Sequence, residues 1–87
     1  MEIEFDPEKD FANIAKHGLS LADAGMLDLP AAHVEVDLRF AYRETRFRAF
    51  GRIAGQGYCL AFTIRGTTLR PISFRRARDT EMRRYGR

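Results

Sequence analysis

Lys16 and His17 stand side by side just before Gly18, and arginines crowd residues 38–87. Together these side chains suit phosphate chemistry that uses no metal. Cutting an RNA strand in that way takes three acts. A proton leaves the ribose 2′-OH, negative charge on the phosphate oxygens is stabilised, and the leaving oxygen is protonated. Arginine or lysine performs the second act, and His, Lys, Glu or Tyr can perform the others. Four groups of residues are candidates. Lys16-His17 is the first. Arg46, Arg48 and Arg52 alternate with Phe47, Ala49, Gly51 and Ile53, so in a strand they line one sheet face as a phosphate track. Arg65 and Arg70 flank a turn that brings them near each other. Arg75-Arg76-Ala77-Arg78, with Glu81 and Tyr85, forms the fourth.

Each group also has a purely structural reading. His17 with Lys16 can be a helix C-terminus, where cations suit the negative end of the helix dipole. The alternating arginines can be a solvated sheet face, and Glu81 and Tyr85 can simply hold a helix. Other chemistries find less support. His17 and His33 lie far apart with no cysteine pair, which is too few ligands for a metal site, and no cofactor is expected. Gly55-Gln56-Gly57 lacks the following helix that a phosphate-cradling loop needs. Cys59 sits in the middle of an apolar run and reads as core.

The elements that must position these residues can be read from local pattern. Residues 2–6 alternate as a half-buried strand does. Asp6 can cap a helix with Pro7 in its first position, and Gly18 ends that helix by taking positive φ. Phe11, Ile14 and Ala15 fall on one stripe, expected to pack inward. Ser20 opens a second, short helix with Asp23 in a variant capping box, closed by Asp28-Leu29-Pro30. Strands are expected at 34–39, 45–53, 57–65 and 68–74, joined as hairpins through Gly55-Gln56-Gly57 and Arg65-Gly66-Thr67. The run 57–65 is apolar on both faces, the mark of a covered central strand. Pro71 signals an edge or a bulge. A last helix is expected over 75–85. The fold class is α+β: two N-terminal helices on one face of a twisted antiparallel sheet, then a C-terminal helix, with the other sheet face left for a ligand or partner.

Eighty-seven residues suffice for one domain, 1–87, with a thin core. A hydrophobic content of 45% is ordinary for a folded protein. The one cysteine rules out an intrachain disulfide and fits a reducing compartment. The acidic start is not a signal peptide, and the run Tyr58–Phe62 is far too short to cross a membrane, so a cytoplasmic protein is expected. The net charge is only +3, yet residues 1–37 carry nine acids against two lysines, and residues 38–87 carry thirteen arginines against three acids. Every base of the second half is arginine, whose planar fork matches phosphate bidentately and stacks on bases. Codon bias toward arginine would give the same composition without any function.

The order of residues resembles the BrnT toxin family. Asp6-Pro7-Glu8-Lys9, Asn13, Lys16-His17-Gly18-Leu19-Ser20, Ala24 and Asp28-Leu29-Pro30 carry the first half of the resemblance. Asp37, Arg39, Tyr42, Glu44, Thr45, Arg46, Gly51, Thr63, Arg65-Gly66, Leu69-Arg70, Ile72-Ser73, Arg75-Arg76-Ala77, Glu81 and Tyr85 carry the second. The resemblance implies a RelE-like fold and a ribonuclease toxin of a type II toxin–antitoxin module that cleaves RNA without metal and inhibits translation. It also implies a BrnA-like antitoxin in a heterotetramer, with operator DNA bound only through that antitoxin. Carried over by position, Lys16, His17, Arg65 and Arg70 are the catalytic candidates, and Arg46, Arg48 and Arg75 the RNA-binding ones. Two residues depart from the family pattern. Pro71 replaces an aliphatic residue and Phe74 a small one, and both flank the arginines. The competing reading is a non-catalytic nucleic-acid- or partner-binding module with a basic face.

Overall fold

The computed structural model describes residues 1–85. The elements in chain order are β1 (Glu2–Ile3), α1 (Pro7–His17), two 3-10 helices (Leu21–Met26 and Leu29–Ala31), β2 (His33–Val36), β3 (Phe47–Ile53), β4 (Gln56–Arg65), β5 (Thr68–Arg76) and α2 (Asp79–Tyr85). The class is α+β, as expected. The sheet is mixed rather than wholly antiparallel. Its order is β1-β5-β4-β3-β2, and the short β1 runs parallel to β5. Only the first of the two expected N-terminal helices is α-helical. The segment after Ser20 winds as 3-10 helix, and the C-terminal helix starts at Asp79, because β5 continues to Arg76. Strand β2 ends at Val36, so 37–46 is loop.

Local chemistry explains most of these boundaries. Asp6 accepts the Glu8 N–H at 2.9 Å, and Pro7 follows it in the first turn of α1. Gly18 takes the left-handed conformation (φ 71°) and its N–H closes on Ile14. Ser20 caps the 3-10 helix through the Ala22 N–H. Its second anchor is Asp10 rather than Asp23, since Asp10 accepts from Ser20 Oγ at 3.0 Å and from Leu21 N–H at 2.7 Å. The β3–β4 turn is Ala54-Gly55, one residue earlier than expected, with both residues at positive φ. The β5 register slips between Ala61 and Phe62, leaving Ile72 as the extra residue beside Pro71. Pro71 thus sits at a bulge, and also where β5 runs past the end of its pairing with β1 and becomes an outer edge.

The core is split by the sheet. On one face Ala49, Leu60, Phe62, Leu69 and Phe74 pack against Leu21, Ala24, Leu27 and Ala32 from the 3-10 region. On the other face Phe50 and Cys59 meet Ala77 and Met82 under α2, and the Tyr85 ring stacks on Phe50 at 4.1 Å. α2 covers only that end of the second face.

The apolar stripe on α1 does not pack inward. Phe11 is 73% exposed and Ile14 42%. The inward side of α1 carries Asp10, Asn13 and His17. β1 pairs only with Thr68 and Leu69, so the outer edge of β5 beyond Pro71 needs other partners. Asn13 supplies them: it accepts the Phe74 N–H at 3.1 Å and donates to Phe74 O at 2.9 Å and to Leu19 O at 2.8 Å. A side-chain amide thus does the work of a neighbouring strand, and α1 lies where a polar face is required.

Candidate functional site

Alternation and register place most of the candidate arginines on the sheet face that α2 leaves open. One row across the strands contains Arg70 opposite Thr63, with Arg46 next in line before β3. The next row is Ser73, Ala61, Arg48 and Glu35, and the next Arg75, Cys59, Phe50 and His33. Small residues, Ala61 and Ser73, therefore form the floor between the arginines. Arg65 lies on the same side, one row beyond Arg70, at the end of β4. Arg52 is at the far end, where it donates to Gly55 O at 2.9 Å.

Lys16 and His17 line a hollow of about 220 Å³ between α1 and β5, with Lys9, Asn13, Ile72 and Ser73. Arg46, Arg65 and Arg70 line a second, tighter hollow of about 80 Å³ with Lys9, Thr63 and Ile72. Lys9 and Ile72 border both, so the two hollows are neighbours along β5. The structure thus puts Lys16 and His17 in one hollow and Arg46, Arg65 and Arg70 in its neighbour. It sets Arg48 and Arg75 further along the same face. Lys9 was not among the residues expected here, although its spacing of two helical turns from Lys16 puts both on one side of α1.

The electrostatics separate the candidates. His17 has its pKa lowered by burial, and then by the positive charges of Lys16 and Arg75. Its imidazole is therefore neutral at neutral pH. Four of the candidate arginines already hold a carboxylate: Arg70 with Glu4 at 2.7 Å, Arg48 with Glu35 at 2.6 Å, Arg75 with Glu81 at 2.8 Å, and Arg65 more loosely with Glu44 at 3.4 Å. The Arg75 fork grips both Glu81 oxygens, at 2.8 and 2.9 Å, and with the Arg78 N–H holds that carboxyl down at about 2. Burial alone would raise the Glu35 pKa, but hydrogen bonds from Arg48 and His33 outweigh it and the net shift is downward. Arg48 also donates to the Tyr85 hydroxyl at 3.2 Å, tying β3 to α2. Glu81 and Tyr85 thus hold these arginines in place.

Arg46 differs. Among the described residues it has no carboxylate partner, and its guanidinium lies over the Tyr42 ring, 4.2 Å from the centroid. Its Nε, like that of Arg48, is buried without a hydrogen-bond acceptor. Cys59 is buried and its pKa is raised by burial, which fits a core thiol. No group of three or more His, Cys, Asp or Glu among the described residues is arranged to hold a metal. Phe74, one of the two departures, is in the core against Tyr58, on the opposite face from the arginines.

A family model described as a ribonuclease toxin, BrnT, of type II toxin–antitoxin systems matches residues 5–81. The chain belongs to the BrnT toxin family. A comparison with curated proteins returned no significant match. The span matched by the BrnT model holds the lining of both hollows, from Phe5 to Ser73, together with Arg75 and Glu81. No helix among the described residues is long and apolar enough to cross a membrane.

Proposed function

We propose that this BrnT-family chain is a metal-independent endoribonuclease that inhibits translation, with its reaction centre in the neighbouring hollows along β5. The observation that carries this reading is that the two hollows adjoin across Lys9 and Ile72. A neutral imidazole and an ammonium stand in one, and three guanidiniums in the other. A phosphodiester bridging the two would meet a proton acceptor on one side and charge-stabilising donors on the other. In this reading Lys16 and His17 carry the proton transfers, beginning with removal of the 2′-OH proton. Proton transfer balances between that pair, the neutral imidazole acting as the acceptor and the ammonium as the donor: the 2′-oxygen attacks phosphorus, the 5′-oxygen leaves with a proton from the ammonium, and a 2′,3′-cyclic phosphate remains. Arg65 and Arg70 hold the phosphate oxygens through the attack, while Arg46, Arg48 and Arg75 bind flanking phosphates.

The rest of the reading follows from family membership. It comprises a RelE-like arrangement in a single domain, a cytoplasmic setting, a BrnA-like antitoxin in a heterotetramer, and operator contact through that antitoxin alone. The experiment is incubation of the purified chain with single-stranded RNA in EDTA. Cleavage is expected, and it should stop with a 2′-deoxy substitution at the cut site or with His17→Ala or Arg70→Ala. Folded protein that leaves RNA intact, or cleavage that EDTA abolishes, would overturn the reading. One observation favours the competing, non-catalytic module: Arg70 and Arg75 already hold Glu4 and Glu81. That alternative gives salt-sensitive RNA binding without cleavage.

A further inference from the structure

The loop 37–46 is built like a fixed display. Asp37 is buried and gathers four donors: Arg39 Nε at 2.9 Å, Arg39 Nη2 at 2.8 Å, the Arg39 N–H at 3.2 Å and the Tyr42 hydroxyl at 3.1 Å. These bonds hold the Asp37 carboxyl well below the usual carboxylate range, with the Arg39 side chain the largest cause. One carboxylate thereby pins both ends of Arg39-Phe40-Ala41-Tyr42. Yet the aromatic that this frame carries is not buried. Phe40 is 69% exposed, and its ring meets Tyr42 edge-on at 5.9 Å. Arg46 lies over Tyr42, and a hollow of about 380 Å³ opens along the loop.

A solvent-facing ring between two tethered residues and beside guanidiniums suits one class of ligand. Unpaired nucleobases stack on aromatic faces while arginines track the adjoining phosphates. Here the two parts join at Arg46, which belongs both to the loop and to the row with Thr63 and Arg70. The loop thus borders the phosphate face directly.

We propose that the 37–46 loop is a stacking platform for an unpaired base of single-stranded RNA, with Phe40 offering the ring and Arg46 linking platform to phosphate row. This rests on the RNA-directed reading above. The test uses a short single-stranded RNA made uncleavable by 2′-O-methylation, with a central 2-aminopurine, and reads both affinity and fluorescence. Wild-type protein should quench the probe. Phe40→Ala should weaken binding about tenfold and remove the quench. It should leave the salt dependence unchanged, because no phosphate contact is lost. Phe40→Tyr should bind as wild type, and an oligonucleotide abasic at the probe position should bind wild type about as weakly as the intact strand binds Phe40→Ala. Undiminished binding and quench with Phe40→Ala would overturn the platform while leaving the RNA-directed reading intact. Full recovery with Phe40→Leu would also overturn it, by marking a greasy protein-docking spot instead of a π face. Wild-type protein that binds no RNA would overturn both.

Discussion

Removing the Asn13 amide should damage stability and activity together. The residue is buried, and its side chain serves the Phe74 N–H, Phe74 O and Leu19 O. Asn13→Ala leaves those three backbone groups without this partner. Each unsatisfied buried group costs about 1–3 kcal/mol, and Leu19 O, being part-buried, recovers some of that from water. A total loss of about 3–4 kcal/mol is expected, a large share of the roughly 5–10 kcal/mol available to a domain of this size. The melting temperature should fall by about 15–25 °C. Asn13→Asp is the sharper test. It keeps the volume and can still accept from Phe74 N–H, but it offers no donor and sets a carboxylate against two carbonyls. It should be at least as damaging as Asn13→Ala. Urea denaturation reads the stability. Single-turnover RNA cleavage, at a temperature where each variant is folded, reads the positioning of Lys16 and His17. If Asn13→Asp unfolds within about 0.5 kcal/mol of wild type, the amide does not secure the β5 edge and the reasoning fails.

Other consequences can be checked separately. The Glu81 carboxyl sits at about 2 in the folded state against an ordinary 4.5. A depressed acid stabilises above its unfolded pKa and loses that contribution as pH falls through its folded one. Denaturation between pH 5 and about 2 should show wild type losing up to about 3 kcal/mol from this group, a slope that Glu81→Gln should lack. If His17 is the proton acceptor, the cleavage rate should fall on acidification with a midpoint below 6.5, because its pKa is lowered. His17→Ala should lose about 10²–10⁴ in rate together with that acid limb. A pH profile unchanged in His17→Ala would reassign the role to Lys16. At Gly57, an added Cβ would lie 2.5 Å from Met82 Cγ. Gly57→Ala should therefore lift α2 and cost about 1–3 kcal/mol in urea, and no loss would mean that α2 is loosely seated.

What the sequence made legible was whatever depends on neighbours in the chain. The Asp6 and Gly18 caps, the two hairpins and the apolar β4 run all appear in the structure, as does the alternation that puts Arg46 and Arg48 on one face. What it hid depends on distant partners. The Phe11–Ile14 stripe pointed the wrong way because α1 packs against a strand edge, which demands a polar residue such as Asn13 rather than apolar ones. Residues 75 and 76 looked helical from their spacing, yet β5 keeps them, since their register partners Cys59 and Tyr58 lie in the central strand. The site showed the same split. Lys16, His17, Arg65 and Arg70 were visible as residue types, but the sequence does not tell that Glu4, a separation of 66 residues away, would hold Arg70. The sharing of one hollow by Lys9 and Arg70 was equally hidden.

The carboxylates on the arginine face bear on what that face will accept. In the proposed function, a phosphate arriving at Arg48, Arg65, Arg70 or Arg75 would compete with Glu35, Glu44, Glu4 or Glu81 for the guanidinium. A single exchange of that kind gains little in a solvent-accessible pair. A strand makes several exchanges while losing its translational freedom once, so the gains accumulate. The face should therefore count phosphates: free phosphate and mononucleotides compete weakly, and a polynucleotide wins. The four acids come from the β1–α1 junction, the 37–46 loop, β2 and α2. A strand that engaged the whole row in that way would loosen a tether in each of them at once, tying occupancy of the face to the periphery of the molecule.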